Sequence, residues 1–297
     1  MDSEGTISQS NQPVAKSSFG NRVKKWASLT PSYVILGLWS LFTVFSILWV
    51  IASSFKTNRE LFQAVWSLPT ALQIENYIKA WTVVKMGQYF SNSLIVVLAS
   101  VFIVFFLSAP VSYILTRVNF KGSGLLLIMF IAGIGITVKL LYIPLFILLT
   151  QIGVINSLWG LGLLYVSLSI PFTVFILSGF FATLPRELEE AATIDGCSDF
   201  QVYWKVLLPL ASPGLITAAI FNFIFLWNEY QIALVFINDP DLRTLPLGLY
   251  ALSNAMQYTG DWVGLMAGVV IIMVPTIILY TVLSERMIAG ITMGSVK

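Results

Sequence analysis

Hydrophobic residues along this chain gather into six long blocks separated by short polar stretches, near residues 33–53, 94–115, 124–149, 158–181, 213–236 and 262–282. Each block is long enough to cross a bilayer, because about 20 helical residues rise ~30 Å. Polar residues do not alternate with apolar ones inside the blocks, which argues against the strands of a membrane barrel. In lipid every backbone amide must find its partner within its own segment, so the blocks are predicted to be helices. The third block is over-long, and Pro144 near its far end is expected to bend or break it; Pro110 is expected to do the same to the second. Two of the intervening loops, about 54–93 and 237–261, are long enough to carry structure of their own. The expected fold class is all-α: a polytopic membrane protein with six transmembrane helices. Residues 1–30 read as a polar N-terminal tail, 31–285 as the membrane domain and 286–297 as a second tail.

Composition sharpens this reading. Only 10% of the residues are charged and 57% are hydrophobic, whereas a soluble domain uses roughly a quarter of its residues as charges. Most of the outer face must therefore meet lipid. A net charge of +2, with no basic tract interleaved with aromatics, gives no footing for nucleic acid. The chain has no histidine and a single cysteine, Cys197. That removes Ser-His-Asp triads, zinc HExxH sites and paired-cysteine chemistry, so no catalytic residues and no metal site are expected. The basic residues fall into two groups. Lys16, Arg22, Lys24, Lys25, Arg117, Lys121, Arg186, Lys205, Arg286 and Lys297 share one side. Lys56, Arg59, Lys79, Lys85 and Arg243 share the other. The bias predicts that both termini are cytoplasmic. The first 30 residues lack the apolar core of a cleaved signal peptide.

The polar stretch between the fourth and fifth blocks, residues 182–210, then lies on the cytoplasmic side. Its core, "LPRELEEAATIDGCSDFQVYWKVLLP", reads as two short helices and a sharp turn. Pro185 suits a first helical turn, and Glu187, Glu189 and Glu190 complement the positive end of a helix dipole. Gly196 is the expected stop in a left-handed conformation, and Ser198 with Gln201 forms a capping-box pattern that opens the second helix. Pro209 is expected to end it. Leu188, Ala191 and Ala192 cluster on one face of the first helix, and Phe200, Tyr203, Trp204 and Leu207 on the second. A loop that only needed to be soluble would not carry this pattern; it reads as a docking element.

"EAATIDGCSDFQVYWKVLLP" resembles the signature of importer-type ABC permeases: EAA, three residues, G, nine residues, I, x, LP. Glu190, Ala191, Ala192, Gly196, Leu208 and Pro209 fall in register, with Val206 where isoleucine is usual. "SFKTNRELF", "ENYIKAW", "IPLF", "INSLWG", "WNEY" and "GITMGSVK" resemble the carbohydrate-uptake branch. Within that branch they resemble the smaller permease of maltose and glycerol-3-phosphate importers. The resemblance implies the type I permease fold, with a coupling helix, in a bacterial cytoplasmic membrane. It implies a heterodimer with a second, homologous permease, two copies of a cytoplasmic ATPase below and an extracytoplasmic solute-binding protein above. ATP and Mg would sit on the ATPase partner; this chain needs no cofactor. Independently, no GxxxxGK[ST] loop is present: "GSGLLLIM" and "GITVKLL" both fail the pattern.

The ATPase-coupling residues this implies are Glu190, Ala191, Ala192, Asp195, Gly196, Leu208 and Pro209, with Glu190 pairing with a basic side chain of the ATPase. Family tails such as "MIAGITMGSVK" reach the interface between ATPase subunits. Two ionisable residues fall inside predicted spans: Lys139, 15 residues beyond Gly124, and Glu229, 16 beyond Pro213. Both sit ~22–24 Å from the cytoplasmic start of their blocks. They pair with each other, line a solute pathway, or snorkel to the outer interface. Trp227, Asn228 and Tyr230 offer flat faces and hydrogen-bond groups suited to sugars, although tryptophans at helix ends also form the ordinary interfacial belt. The competing function class is a self-sufficient secondary transporter or channel, which predicts coupling acids in the membrane and broken helices with inverted symmetry.

Overall fold

The structure, a computed structural model, describes residues 19–118 and 120–293, with side chains described over 31–118 and 120–284. Among the described residues every regular element is helical. The early helices are α1 (Phe19–Ser54), α2 (Asn58–Gln63), α3 (Glu75–Thr82) and α4 (Met86–Arg117). Then follow α5 (Ser123–Ile134), α6 (Tyr142–Gln151), α7 (Leu158–Thr183), α8 (Glu187–Ile194) and α9 (Asp199–Gln201). The last are α10 (Leu208–Leu210), α11 (Ser212–Trp227), α12 (Gln231–Phe236), α13 (Leu245–Thr259) and α14 (Trp262–Met293).

Two units divide the chain, Met1–Val50 and Ile51–Lys297. The described part of the first is the body of α1. Val34, Ile35 and Leu36 point ~100° apart around its axis, and all three are exposed. A helix apolar all round is a membrane span. Thr43 and Ser46 return their hydroxyls to the carbonyls of Trp39 and Phe42, so neither presents an unpaired donor to lipid. Backbone helix already begins at Phe19 and continues to Met293. The tails read at 1–30 and 286–297 are therefore helical over 19–30 and 286–293. Residues 1–18 and 294–297, with Lys16 and Lys297, lie outside the described residues. The side chains of Arg22, Lys24, Lys25 and Arg286 do too.

In the second unit α4 and α7 pack along their length, α11 packs against both, and α14 packs on α11, α3 and α13. The contact surface is built from small hydroxylated residues. Ser100 donates to the Gly162 carbonyl at 3.5 Å and Ser112 to that of Val174 at 3.3 Å. Asn222 on α11 is buried, and its amide donates to Thr173 Oγ1 on α7 at 2.8 Å. Lipid tails are as apolar as leucine, so close approach and inter-helix hydrogen bonds, worth ~0.6–2 kcal/mol each, hold such helices together.

Two spans are bent rather than continuous. The third block breaks after α5, and its two halves, 123–134 and 138–151, meet at 91°. The break falls at Gly135–Thr137, not at Pro144. The amides of Gly135 and Ile136 donate three residues back, to Ala132 and Gly133, which tightens and ends the helix at a glycine, a weak helix former. Pro144 lies in the first turn of α6, where its missing N–H costs nothing. Pro110 lies inside α4, which runs on unbroken to Arg117; neighbouring helices re-satisfy the freed carbonyl of a membrane proline. The fifth block ends at Trp227, short of residue 236, and meets the segment Asp199–Leu210 at 69°. Among the described residues four helices are long and apolar enough to cross a membrane, or up to six if each bent pair is one span.

Both expected structured loops gather at the start of α4. Lys85 Nζ bonds Asp241 at 2.6 Å, and Gln88 and Asn92 donate to the Asp241 carbonyl. The Asp241 hydrogen bond and charge push the Lys85 ammonium up from its ordinary value. Asn156 Oδ1 accepts the amides of Asn238 and Asp239, both at 2.9 Å. Lys56 is fully buried and donates to the carbonyls of Ala64 and Val65. Arg117 ends the same α4, a helix ~48 Å long by its rise. The two groups of basic residues therefore include members at opposite ends of the bundle.

Glu60 offers a pH test of this loop end. It forms a capping box with Thr57, and its Oε1 accepts the Thr70 amide at 2.7 Å. That bond to Thr70 holds the carboxyl below its usual range, assisted by Thr57 and the Lys56 charge. A depressed acid stabilises the folded loop above its unfolded pKa, and the contribution is lost as pH falls through the folded value. Hydrogen exchange corrected for intrinsic rate is expected to show level protection of the Thr70 amide above about pH 4.3 and falling protection below it. Glu60→Gln removes that step; a step that persists in the variant rules out Glu60 as its source.

Candidate functional site

The first part of the segment joining α7 to α11 is organised as its sequence predicts. Glu187, Glu189 and Glu190 occupy the first turn of α8. The helix ends with Gly196 at φ +83°, its amide bonded to Thr193 O and that of Cys197 to Ala192 O, both at 3.0 Å. This paired pattern is the Schellman stop, which requires a left-handed residue and so favours glycine. The Ser198 amide then donates to Gln201 Oε1 at 2.9 Å, opening α9 with the expected capping box. Pro209 does not end the second helix. A π-helical turn over Val202–Leu207 carries the chain through Pro209 to Leu210; such wide turns accommodate a break in the amide ladder.

One face of this segment is bolted to the bundle. Ala192, Val202, Tyr203 and Leu207 are buried with Leu177 and Phe181 of α7, and Leu208 packs at the edge of that cluster. Tyr113 of α4 lies against both Phe181 and Tyr203. The opposite face is open. Leu188, Glu190, Ala191, Asp195, Phe200, Trp204 and Pro209 are exposed, and Ile194 is 86% exposed. Leu188, Ile194, Phe200 and Trp204 thus leave several large apolar side chains exposed together on this one polar segment.

A residue that the sequence reading used only as a topology charge proves central. Arg117, at the end of α4, has a side chain only 4% exposed. Its Nε donates to Phe181 O at 2.8 Å, and its Nη2 reaches the carbonyls of Phe181 and Leu184. Its Nη1 lies 3.1 Å from Glu189 Oε1 on α8. An arginine in the last turn of a membrane helix suits the negative end of a helix dipole, and that was the sequence signal available.

The break after α5 and the far end of α11 meet at a cavity of about 510 Å³. Thr137, Lys139 and Tyr142 line it from the third span and Asn228, Glu229 and Tyr230 from the fifth. Lys139 and Glu229 thus share one cavity, yet the ion pairs among the described residues do not include them. Glu229 is engaged elsewhere. It accepts the amides of Ile232 at 2.6 Å and Ala233 at 3.2 Å, and the Tyr165 hydroxyl at 2.9 Å. It closes the open start of α12, where four amides lack helical partners. Asn228 folds back to the Ile224 carbonyl, and Tyr230 stacks on Tyr250. Trp227 is in neither the cavity wall nor the interfacial belt. It is 1% exposed, its indole N–H donates to Ile272 O at 3.2 Å, and its ring stacks on Phe223 and meets Phe90 edge-on. It directly precedes Asn228, and that one step around the helix turns its side chain into the core.

Residues 108–291, more than half of the chain and including both the connecting segment and the cavity, match the model of the binding-protein-dependent transport system inner membrane component. The chain belongs to that family. This permease is 38% identical over 266 residues to a diacetylchitobiose uptake system permease protein of Streptomyces coelicolor, covering 90% of this chain and 88% of that one. It is 34% identical over 255 residues to the sulfoquinovosyl glycerol transport system permease protein of Agrobacterium fabrum, covering 86% and 89%. Its fold matches a crystal structure of a bacterial ABC transporter involved in the import of the acidic polysaccharide alginate. The TM-score is 0.73 at 22% identity, over 90% of this permease and 98% of that chain. The all-α permease fold expected from the sequence is thereby established.

Proposed function

We propose that this permease forms half of a carbohydrate pathway across a bacterial inner membrane, and that a separate ATPase drives it through the α8 segment. The observation that carries the reading is the two-faced connector. Ala192 and Tyr203 fix it to α7, while Leu188, Ala191 and Ile194 stand uncovered around Glu190. In this reading the segment and both termini face the cytoplasm. A second, homologous permease completes the pathway, two ATPase copies carry ATP and Mg, and a solute-binding protein delivers cargo to the loop end around Asp241. The carbohydrate class follows from relatives named for diacetylchitobiose and sulfoquinovosyl glycerol. Lys139, Asn228, Glu229 and Tyr230 are the proposed contacts of this chain with the solute, in a cavity within the size range of small-molecule sites. Trp227 acts behind them as support.

Broken helices meeting at a cavity also occur in self-sufficient secondary transporters, so the decisive experiment separates the two. The permease, its partner permease and the ATPase are reconstituted in vesicles and offered radiolabelled diacetylchitobiose or a uronate disaccharide. Uptake is expected only with ATP, Mg and the loaded binding protein all present. Uptake by the isolated permease without ATP would refute the proposal.

A further inference from the structure

Force delivered to α8 must leave it through whatever joins that helix to the membrane spans. One covalent route passes back through Leu184–Arg186, a short non-helical stretch after α7, and the other runs on through Gly196 and the π-helical turn, which also packs on α8, into α11. The packed route is Ala192, whose side chain is a single methyl. The third route is polar. Arg117 binds the carbonyls that close the end of α7 and, through the same guanidinium, the Glu189 carboxylate of α8. It belongs to α4, so one planar group ties three elements. With its side chain 4% exposed, water screens these bonds little. A guanidinium presents its five donors in a rigid fork, so its legs move together rather than independently.

We infer that Arg117 is the positioning residue that converts displacement of α8 into movement of α4 and α7, with Glu189 as its contact on α8. The inference rests on the reading that an ATPase grips the opposite face of α8. The two carboxylates then divide the labour: Glu190, exposed, faces outward to the partner, and Glu189, turned inward, faces the bundle. Helical geometry produces this division, because adjacent residues point ~100° apart. Lysine does not reproduce this arrangement, since its single ammonium lacks the separate nitrogens with which Arg117 bonds the two carbonyls and pairs with Glu189.

The test uses the complete transporter in vesicles. Glu189→Ala cuts only the α8 leg and leaves the bonds of Arg117 to Phe181 and Leu184. It is expected to retain the ATPase and basal ATP hydrolysis, while solute imported per ATP falls about tenfold. Arg117→Lys is expected to behave alike, and Glu189→Gln, which keeps an acceptor oxygen, to recover part of the loss. Solute imported per ATP within twofold of native in Glu189→Ala would overturn the inference, as would loss of the ATPase from that variant. If Arg117→Lys fails to assemble, Glu189→Ala alone decides. Failure of the underlying reading is separate: it would appear as normal ATPase retention in Glu190→Ala.

Discussion

Glu190→Ala is expected to release the ATPase from this permease while leaving the membrane bundle folded. The side chain is exposed in the isolated chain and makes no contact that holds α8 in place; helix α8 is held by Ala192 and by Arg117 on Glu189. Removing one member of a hydrogen-bonded charge pair buried at an interface costs roughly 2–5 kcal/mol, or about thirtyfold to several thousandfold in affinity. If Glu190 merely complemented the dipole of its own helix, the loss would be well under 1 kcal/mol. The two cases are far enough apart for a single measurement. Pull-down of the ATPase through the tagged permease gives the affinity, and thermal unfolding of the permease in detergent checks its fold. Normal association with normal uptake would remove Glu190 from the interface.

Trp227→Ala is expected to show the opposite pattern: lost stability with no specific change in solute affinity. The indole fills space between α4, α11 and α14, bonded to Ile272 and packed on Phe90 and Phe223. Truncating a buried tryptophan costs ~3–5 kcal/mol because the cavity left behind does not fully collapse. That should lower the apparent Tm of the detergent-solubilised protein by roughly 10 °C. Trp227→Phe keeps the stacking and loses the N–H, so a smaller drop is expected. A stable Trp227→Ala protein with altered affinity for the sugar would show that the ring reaches the pathway after all.

The difference between Glu190 and Trp227 marks what the sequence discloses. The coupling segment was legible because charge, glycine and proline punctuate it locally: Gly196 stops α8 and Ser198 opens the next helix through interactions spanning five residues or fewer. The apolar blocks were legible for the same reason, as runs. The breaks within them were not. "AGIGIT" is as apolar as its surroundings, so hydropathy passes over it, and the nearby Pro144 drew the expected break to the wrong place. Trp227 has an aromatic, near-terminal address that reads as an interfacial ring, and only the packing of α14 on α11 decides otherwise. Arg117 and Glu189 lie 72 residues apart, and Asn92 and Asp241 149 apart. No local pattern announces pairs that distant.

The bend after α5 also bears on how thick a barrier the solute meets. Twelve residues of α5 and sixteen of α11 rise ~18 and ~24 Å, both short of the ~30 Å hydrocarbon slab. At this point the permease offers the membrane less apolar length than the membrane's own depth. Past each rod the chain continues through Thr137–Lys139 and Asn228–Tyr230, the polar stretches that line the cavity. Unbroken apolar helix is therefore shortest where these two spans meet it.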